Sequence, residues 1–112
     1  MAQPFYDRLA ALVKLHLPED PSLVCKHFFS GAALYSDGAI CVSLTPVGLA
    51  FNLPESLCSQ LIDSGTASHL RYFKKSPLKK DYALFPNIEE LSDGATAKYL
   101  RLAIEHVRPE NA

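Results

Sequence analysis

Apolar residues near the start of the chain recur at helical spacing. Phe5, Leu9, Leu12, Val13 and His16 fall on one helical face, Pro4 suits a first helical turn, and Pro18 ends the pattern. The spacing predicts an amphipathic helix with one core-facing side. Glu19-Asp20-Pro21-Ser22 reads as a turn, since proline and short polar side chains favour one. From Leu23 to Leu53 the period changes to two, with turn residues at short intervals, the pattern of an antiparallel meander. Ser36-Asp37-Gly38 supplies a hairpin turn, because Asp and Gly tolerate positive φ. Beyond it Ile40, Val42 and Leu44 alternate with Cys41 and Ser43. After the turn at Thr45-Pro46, Val47, Leu49, Phe51 and Leu53 alternate with Gly48, Ala50 and Asn52. One face of both strands is large and apolar and the other small or polar, so helices should pack on one side only. The small face, with Ala33, Cys41, Ser43 and Ala50, is left for solvent or a second copy of the chain.

Pro54-Glu55 opens a second helix with a stripe of Leu57, Cys58, Leu61 and Ile62, stopped by Gly65. Leu70 to Phe73 and Tyr82 to Phe85 read as two further strands. Residues 74–81 join them and are too polar for a core. A last helix runs from Asp93 or Thr96 to Val107, with Leu100, Ala103, Ile104 and Val107 inward. These elements make an α+β fold, an antiparallel sheet of five to six strands with helices on one face, in a single domain spanning residues 1–112.

Composition narrows the function classes. The 112 residues suit one core, burying somewhat over ~60% of the surface of the unfolded chain, and 48% hydrophobic and 21% charged residues are ordinary for a globular protein. Eleven basic against 12 acidic side chains, a net charge of −1, create no overall field drawing the molecule to nucleic acid or anionic membrane. No apolar run approaches the ~20 residues needed to cross a bilayer, and the first residues lack a secretion-signal pattern. Cys25, Cys41 and Cys58 are an odd number with neither disulfide-framework nor C-x-x-C spacing. Reduced thiols in a cytoplasm follow as the expectation, with no contact to membrane.

Catalytic and metal-binding patterns do not emerge from the spacing. Cys58 near a helix start could be a nucleophile, but its stripe companions point to a core thiol. Cys41 lies on the small face and could be exposed, yet has no basic neighbour in sequence to lower its pKa. His16, His27, His69 and His106 are scattered without H-x-x-x-H spacing, and the neighbouring pairs Asp81-Tyr82 and Glu89-Glu90 do not converge on one substrate. No phosphate-cradling glycine motif is present. No enzyme activity, cofactor or metal is therefore expected.

The departure from average is a basic stretch. Arg71, Lys74, Lys75, Lys79 and Lys80 gather five of the 11 cationic side chains, interleaved with Tyr72, Phe73 and Tyr82. Cations beside aromatic rings could grip phosphates and stack bases. The same lysines could simply keep an edge strand soluble. Arg71, Tyr72, Lys74, Lys75, Lys79, Lys80 and Tyr82 are the candidate partner- or anion-binding residues.

Lys26-His27-Phe28-Phe29-Ser30-Gly31, the Asp37-Gly38 hairpin, Leu49-Ala50-Phe51-Asn52-Leu53-Pro54-Glu55 and Tyr82-Ala83-Leu84-Phe85-Pro86 together resemble the N-terminal domain of the TfoX/Sxy family. That family shows a Lys-Arg-Met-Phe-Gly-Gly stretch, a hairpin, a Leu-x-Leu-Lys strand entering a helix, and a tyrosine-bearing strand ending in Pro. Here His27, Ser30 and Asn52 stand where the family usually has Arg, Gly, and Lys or Arg. The resemblance implies an antiparallel sheet with helices packed on it, similar to secretion chaperones and often dimeric. It implies a non-enzymatic regulatory module acting through protein contacts, as a homodimer; nucleic-acid binding by the basic stretch is the alternative.

Overall fold

The computed structural model describes residues 3–70 and 79–108, and of residues 79 and 80 the backbone alone. In chain order the elements are α1 (Gln3–His16), β1 (Leu23–Phe28), β2 (Gly31–Ser36), β3 (Ala39–Thr45), β4 (Gly48–Asn52), α2 (Glu55–Asp63), β5 (Ser68–Leu70), β6 (Lys79–Phe85), a 3-10 turn (Ile88–Glu90) and α3 (Asp93–Val107). Six strands form one antiparallel sheet in the order β1-β2-β3-β4-β6-β5. The predicted α+β class and the antiparallel sheet under helices are what the chain adopts. No described helix is long and apolar enough to cross a membrane.

Two strand boundaries differ from the sequence expectation. The strand expected over 70–73 begins at Ser68, and its residues beyond Leu70 lie outside the described residues. Lys79, Lys80 and Asp81, read as connection, instead begin β6: Lys79 is paired with Leu70, and the Leu53 amide donates to the Asp81 carbonyl at 3.0 Å. Backbone pairing extends a strand past its apolar stretch, because the ladder uses main-chain groups whatever the side chains are.

Cross-strand partners share a face, and the register builds two apolar rows. Ala32, Leu44, Leu49 and Phe85 form one, and Leu34, Val42, Phe51 and Ala83 the other. Leu9 of α1, Cys58 of α2, and Tyr99, Leu100, Ala103 and Ile104 of α3 join these rows in one core. Phe51, Phe85 and Tyr99 meet at its centre, with ring centroids 5.4 to 5.7 Å apart. Helix α3 is started by the Ser92 hydroxyl, which accepts from the Ala95 amide at 3.1 Å. Helix α2 follows Pro54, whose φ of −55° is already helical and whose ring needs no N–H there.

The alternation expected along β3 is broken by a β-bulge. Leu34 faces Val42 but Tyr35 faces Ile40, so Cys41 is the extra residue. Ile40 is thereby sent to the face away from the helices, beside Tyr35, while Cys41 turns into the core with no exposed surface. The placement of Cys41 on the small face is corrected by this inserted residue. The Asn52 side-chain amide donates to the Ile40 carbonyl at 3.2 Å and so ties the bulge to β4. The small face is not open either. Ala33, Ser43 and Ala50 are at most 1% exposed in the single chain, with Ala50 covered among Leu70, Tyr82 and Leu84.

Truncation at the aromatic centre gives the sharpest test of this packing. Phe51 is fully buried, and Phe51→Ala is expected to cost about 3–5 kcal/mol in urea unfolding. A loss below about 1 kcal/mol would show that α3 does not close over this ring.

Candidate functional site

The basic stretch singled out by the sequence is only partly within the described residues. Arg71, Tyr72, Lys74 and Lys75 lie outside them, and Lys79 and Lys80 are placed by backbone at the start of β6. Tyr82 is 8% exposed. Strand alternation puts it with Leu84 on the face opposite Ala83 and Phe85, against Ala50 and Leu70. Its ring is therefore largely covered and does not offer the open stacking surface expected of it.

The thiols are placed for packing. Cys58 is fully buried and its Sγ lies 3.5 Å from the Leu53 carbonyl, which accepts from it. Cys41 donates to the Leu34 carbonyl at 3.3 Å. Burial pushes the Cys41 thiol up to about 12, and it raises Cys25 and Cys58 as well. A thiol so raised is protonated at neutral pH and is a poor nucleophile.

The histidines remain apart. His27 stacks on Tyr6 with ring centroids 4.9 Å apart. His69 lines a cleft of about 330 Å³ with Glu55, Ser59, Ile62 and Asp63. Among the described residues no hydrogen bond joins Ser59, Asp63 and His69, so they form no catalytic relay. Nor do the described residues hold a group of three or more His, Cys, Asp or Glu side chains placed for a metal ion.

A more organised constellation sits where α1, β1 and α3 meet, and its key residue is Arg108. Pro18 prevents α1 from continuing, and the chain turns through Asp20-Pro21-Ser22 into β1. Asp20 makes that turn. Its Oδ1 accepts from the Ser22 amide at 2.9 Å and the Ser22 hydroxyl at 2.8 Å. Arg108 at the end of α3 reaches across, donating from Nη2 to Asp20 Oδ2 at 2.8 Å and to Ser22 Oγ at 3.1 Å, and from Nε to Ser36 Oγ at 3.2 Å. One guanidinium thus ties the end of α3 to the α1–β1 turn and to the β2–β3 hairpin. The hydrogen bonds from the Ser22 amide and hydroxyl, with that from Arg108, hold the Asp20 carboxyl below the usual carboxylate range.

Beside this clamp opens a cleft of about 280 Å³. Its apolar wall is Leu17, Pro18, Leu23 and Ile104, and its polar side is His16, Asp20, Arg101, Glu105 and Arg108. An adjoining cleft of about 440 Å³ shares Leu17, Pro18, Asp20 and Leu23 and continues along Ala10, Val13 and Cys25. It could not be read from the chain, because its charged members lie in two segments far apart, Asp20 in one and Arg101, Glu105 and Arg108 in the other. The helical interval between Arg101 and Arg108, two turns apart on one face, was the one local signal. Compared with protein-family models, curated proteins and solved structures, the chain matches none.

The buried thiols and the Asp20 clamp each yield a test. At pH 8 a thiol reagent is expected to modify native Cys25 first, since it is half-buried, and to reach Cys41 and Cys58 only in denaturant. Rapid modification of all three in the native chain would contradict the packing. A carboxylate with a lowered folded pKa stabilises the fold above its unfolded value near ~3.9, and that contribution is lost as pH falls through the folded value. Asp20→Asn is therefore expected to lower the thermal midpoint at pH 7, with the gap to wild type closing below about pH 4. A gap that persists unchanged into acid would count against the clamp.

Proposed function

We propose that the chain is a non-enzymatic binding and regulatory module of the TfoX/Sxy N-terminal-domain type, acting through contact with a protein. The observation that carries this reading is where the motif residues fall. Lys26 to Gly31 spans the end of β1 and the tight turn into β2, with Phe29 at a φ of 51°. Asp37 and Gly38, both at positive φ, make the β2–β3 hairpin. Leu49 to Glu55 is β4 running into α2, and Tyr82 to Pro86 is the end of β6. The hairpin, the strand entering a helix and the tyrosine-bearing strand ending in Pro fall on elements of the kind the resemblance implies, which supports the reading. The raised thiols speak against a cysteine nucleophile.

Contact with a protein is supported by the β1 edge of the sheet. This strand of six residues ends the sheet and presents Val24, 44% exposed, beside Lys26. An edge strand offers main-chain groups to which an extended segment of a partner can add. A homodimer belongs to the same proposal, and its contact falls on this edge, because Ala33, Ser43 and Ala50 are already covered.

Binding measurements separate this reading from the nucleic-acid alternative. Titration with duplex DNA, single-stranded DNA and RNA at low salt is expected to show no binding. Cross-linking at Lys26 to a partner or second copy is expected in wild type and lost in Val24→Asp at an unchanged thermal midpoint. Nucleic-acid binding that falls with salt, by up to about 0.9 logarithmic units per phosphate neutralised on duplex DNA, and that disappears when Lys74, Lys75, Lys79 and Lys80 become Ser, would establish the alternative.

A further inference from the structure

The cleft beside the Arg108 clamp contains polar groups that the fold itself does not satisfy. Arg108 uses Nε and Nη2 on Ser36, Asp20 and Ser22, which leaves its Nη1 amino group without a protein acceptor among the described residues. Arg101, two helical turns earlier on the same face, makes no hydrogen bond or ion pair among them. Nε2 of His16, on the same wall, is buried without a partner, an arrangement that native proteins seldom tolerate unless a ligand or water completes it. The negative charge of Asp20 is already engaged by Arg108 and Ser22. Glu105, one turn after Arg101, is the remaining carboxylate on the lining of this cleft, and Lys14 and Glu19 are the further charged groups on that of the adjoining one.

We infer that this cleft binds a small organic carboxylate with an apolar body. The carboxylate accepts from Arg101 and from Nη1 of Arg108, the planar forks that suit such a group. The apolar body lies over Leu17, Leu23 and Ile104 and extends past Val13 toward Cys25 in the adjoining cleft. The two volumes of about 280 and 440 Å³ fall around the lower part of the range of small-ligand sites, which are mostly apolar with a few convergent polar groups. Glu105 opposes the ligand charge and orients it, keeping the carboxylate on the arginine side. This inference stands apart from the protein-contact reading.

Octanoate is a suitable probe, with octanol as its uncharged counterpart, followed by amide chemical shifts of the whole chain. Octanoate is expected to give saturable shifts at Leu17, Leu23, Ile104 and Arg108, and octanol to bind about tenfold more weakly or worse. Arg101→Ala should weaken octanoate by about tenfold with no change in octanol binding. Glu105→Gln should strengthen octanoate. Both side chains are exposed and make no hydrogen bond or ion pair among the described residues, so both variants should melt as wild type does. The absence of shifts at these residues with millimolar octanoate, equal binding of octanol, or indifference of octanoate to Arg101→Ala would each overturn the inference.

Discussion

Closure of one sheet face by helices is the constraint from which the remaining architecture follows. The rows running through Leu44 and Phe51 are apolar across four strands, β2, β3, β4 and β6, and cannot be left in water. A single helix is too narrow to cover them. α1 lies over β1 to β3, α3 over β3 and β4, and α2 over β5 and β6. Each helix carries only a stripe of apolar residues, and the polar remainder is why their spacing was visible in the sequence. Where the first and third helices end beside each other, their last turns and the α1–β1 turn leave the cleft that Arg108 borders.

The bulge at Cys41 shows how a local irregularity serves the same closure. Without the extra residue, Ile40 would continue the large apolar face of β3 and Cys41 would look away from the helices. With it, a small thiol enters the core next to Leu34, and the larger Ile40 joins Tyr35 on the far face. Bulges leave ladder groups without their regular partners. Asn52 supplies a donor to the Ile40 carbonyl from the neighbouring strand, which gives this position a reason to be an amide. A lysine or arginine there would donate with a longer and more flexible arm.

Much of the fold was legible because periodicity reports burial. The alternation of Leu49, Phe51 and Leu53 and the stripe of Leu100, Ala103 and Ile104 each placed a residue on the correct side. The errors have specific causes. Alternation cannot reveal that one residue of a strand is inserted, so Cys41 and Ile40 exchanged faces. Polarity suggested a loop where Lys79 to Asp81 pair through their backbones. The 3-10 turn at Ile88–Glu90 is too short to carry any period. The cleft was invisible for a different reason. Asp20, Ser36 and Arg108 are brought together only by tertiary structure, and Asp20 and Arg108 are 88 residues apart.

That separation bears on the order in which the protein is made. Strands β1 to β4 can pair as neighbouring hairpins as soon as they leave the ribosome, but their large face then waits for Tyr99, Leu100 and Ile104, which are synthesised later. The Arg108 clamp comes later still, joining the final turn of α3 to the turn that follows the first helix. A nascent chain halted before α3 would thus display Phe51 and its neighbours as a sticky sheet, and would be a natural client for a chaperone that binds at the exit tunnel.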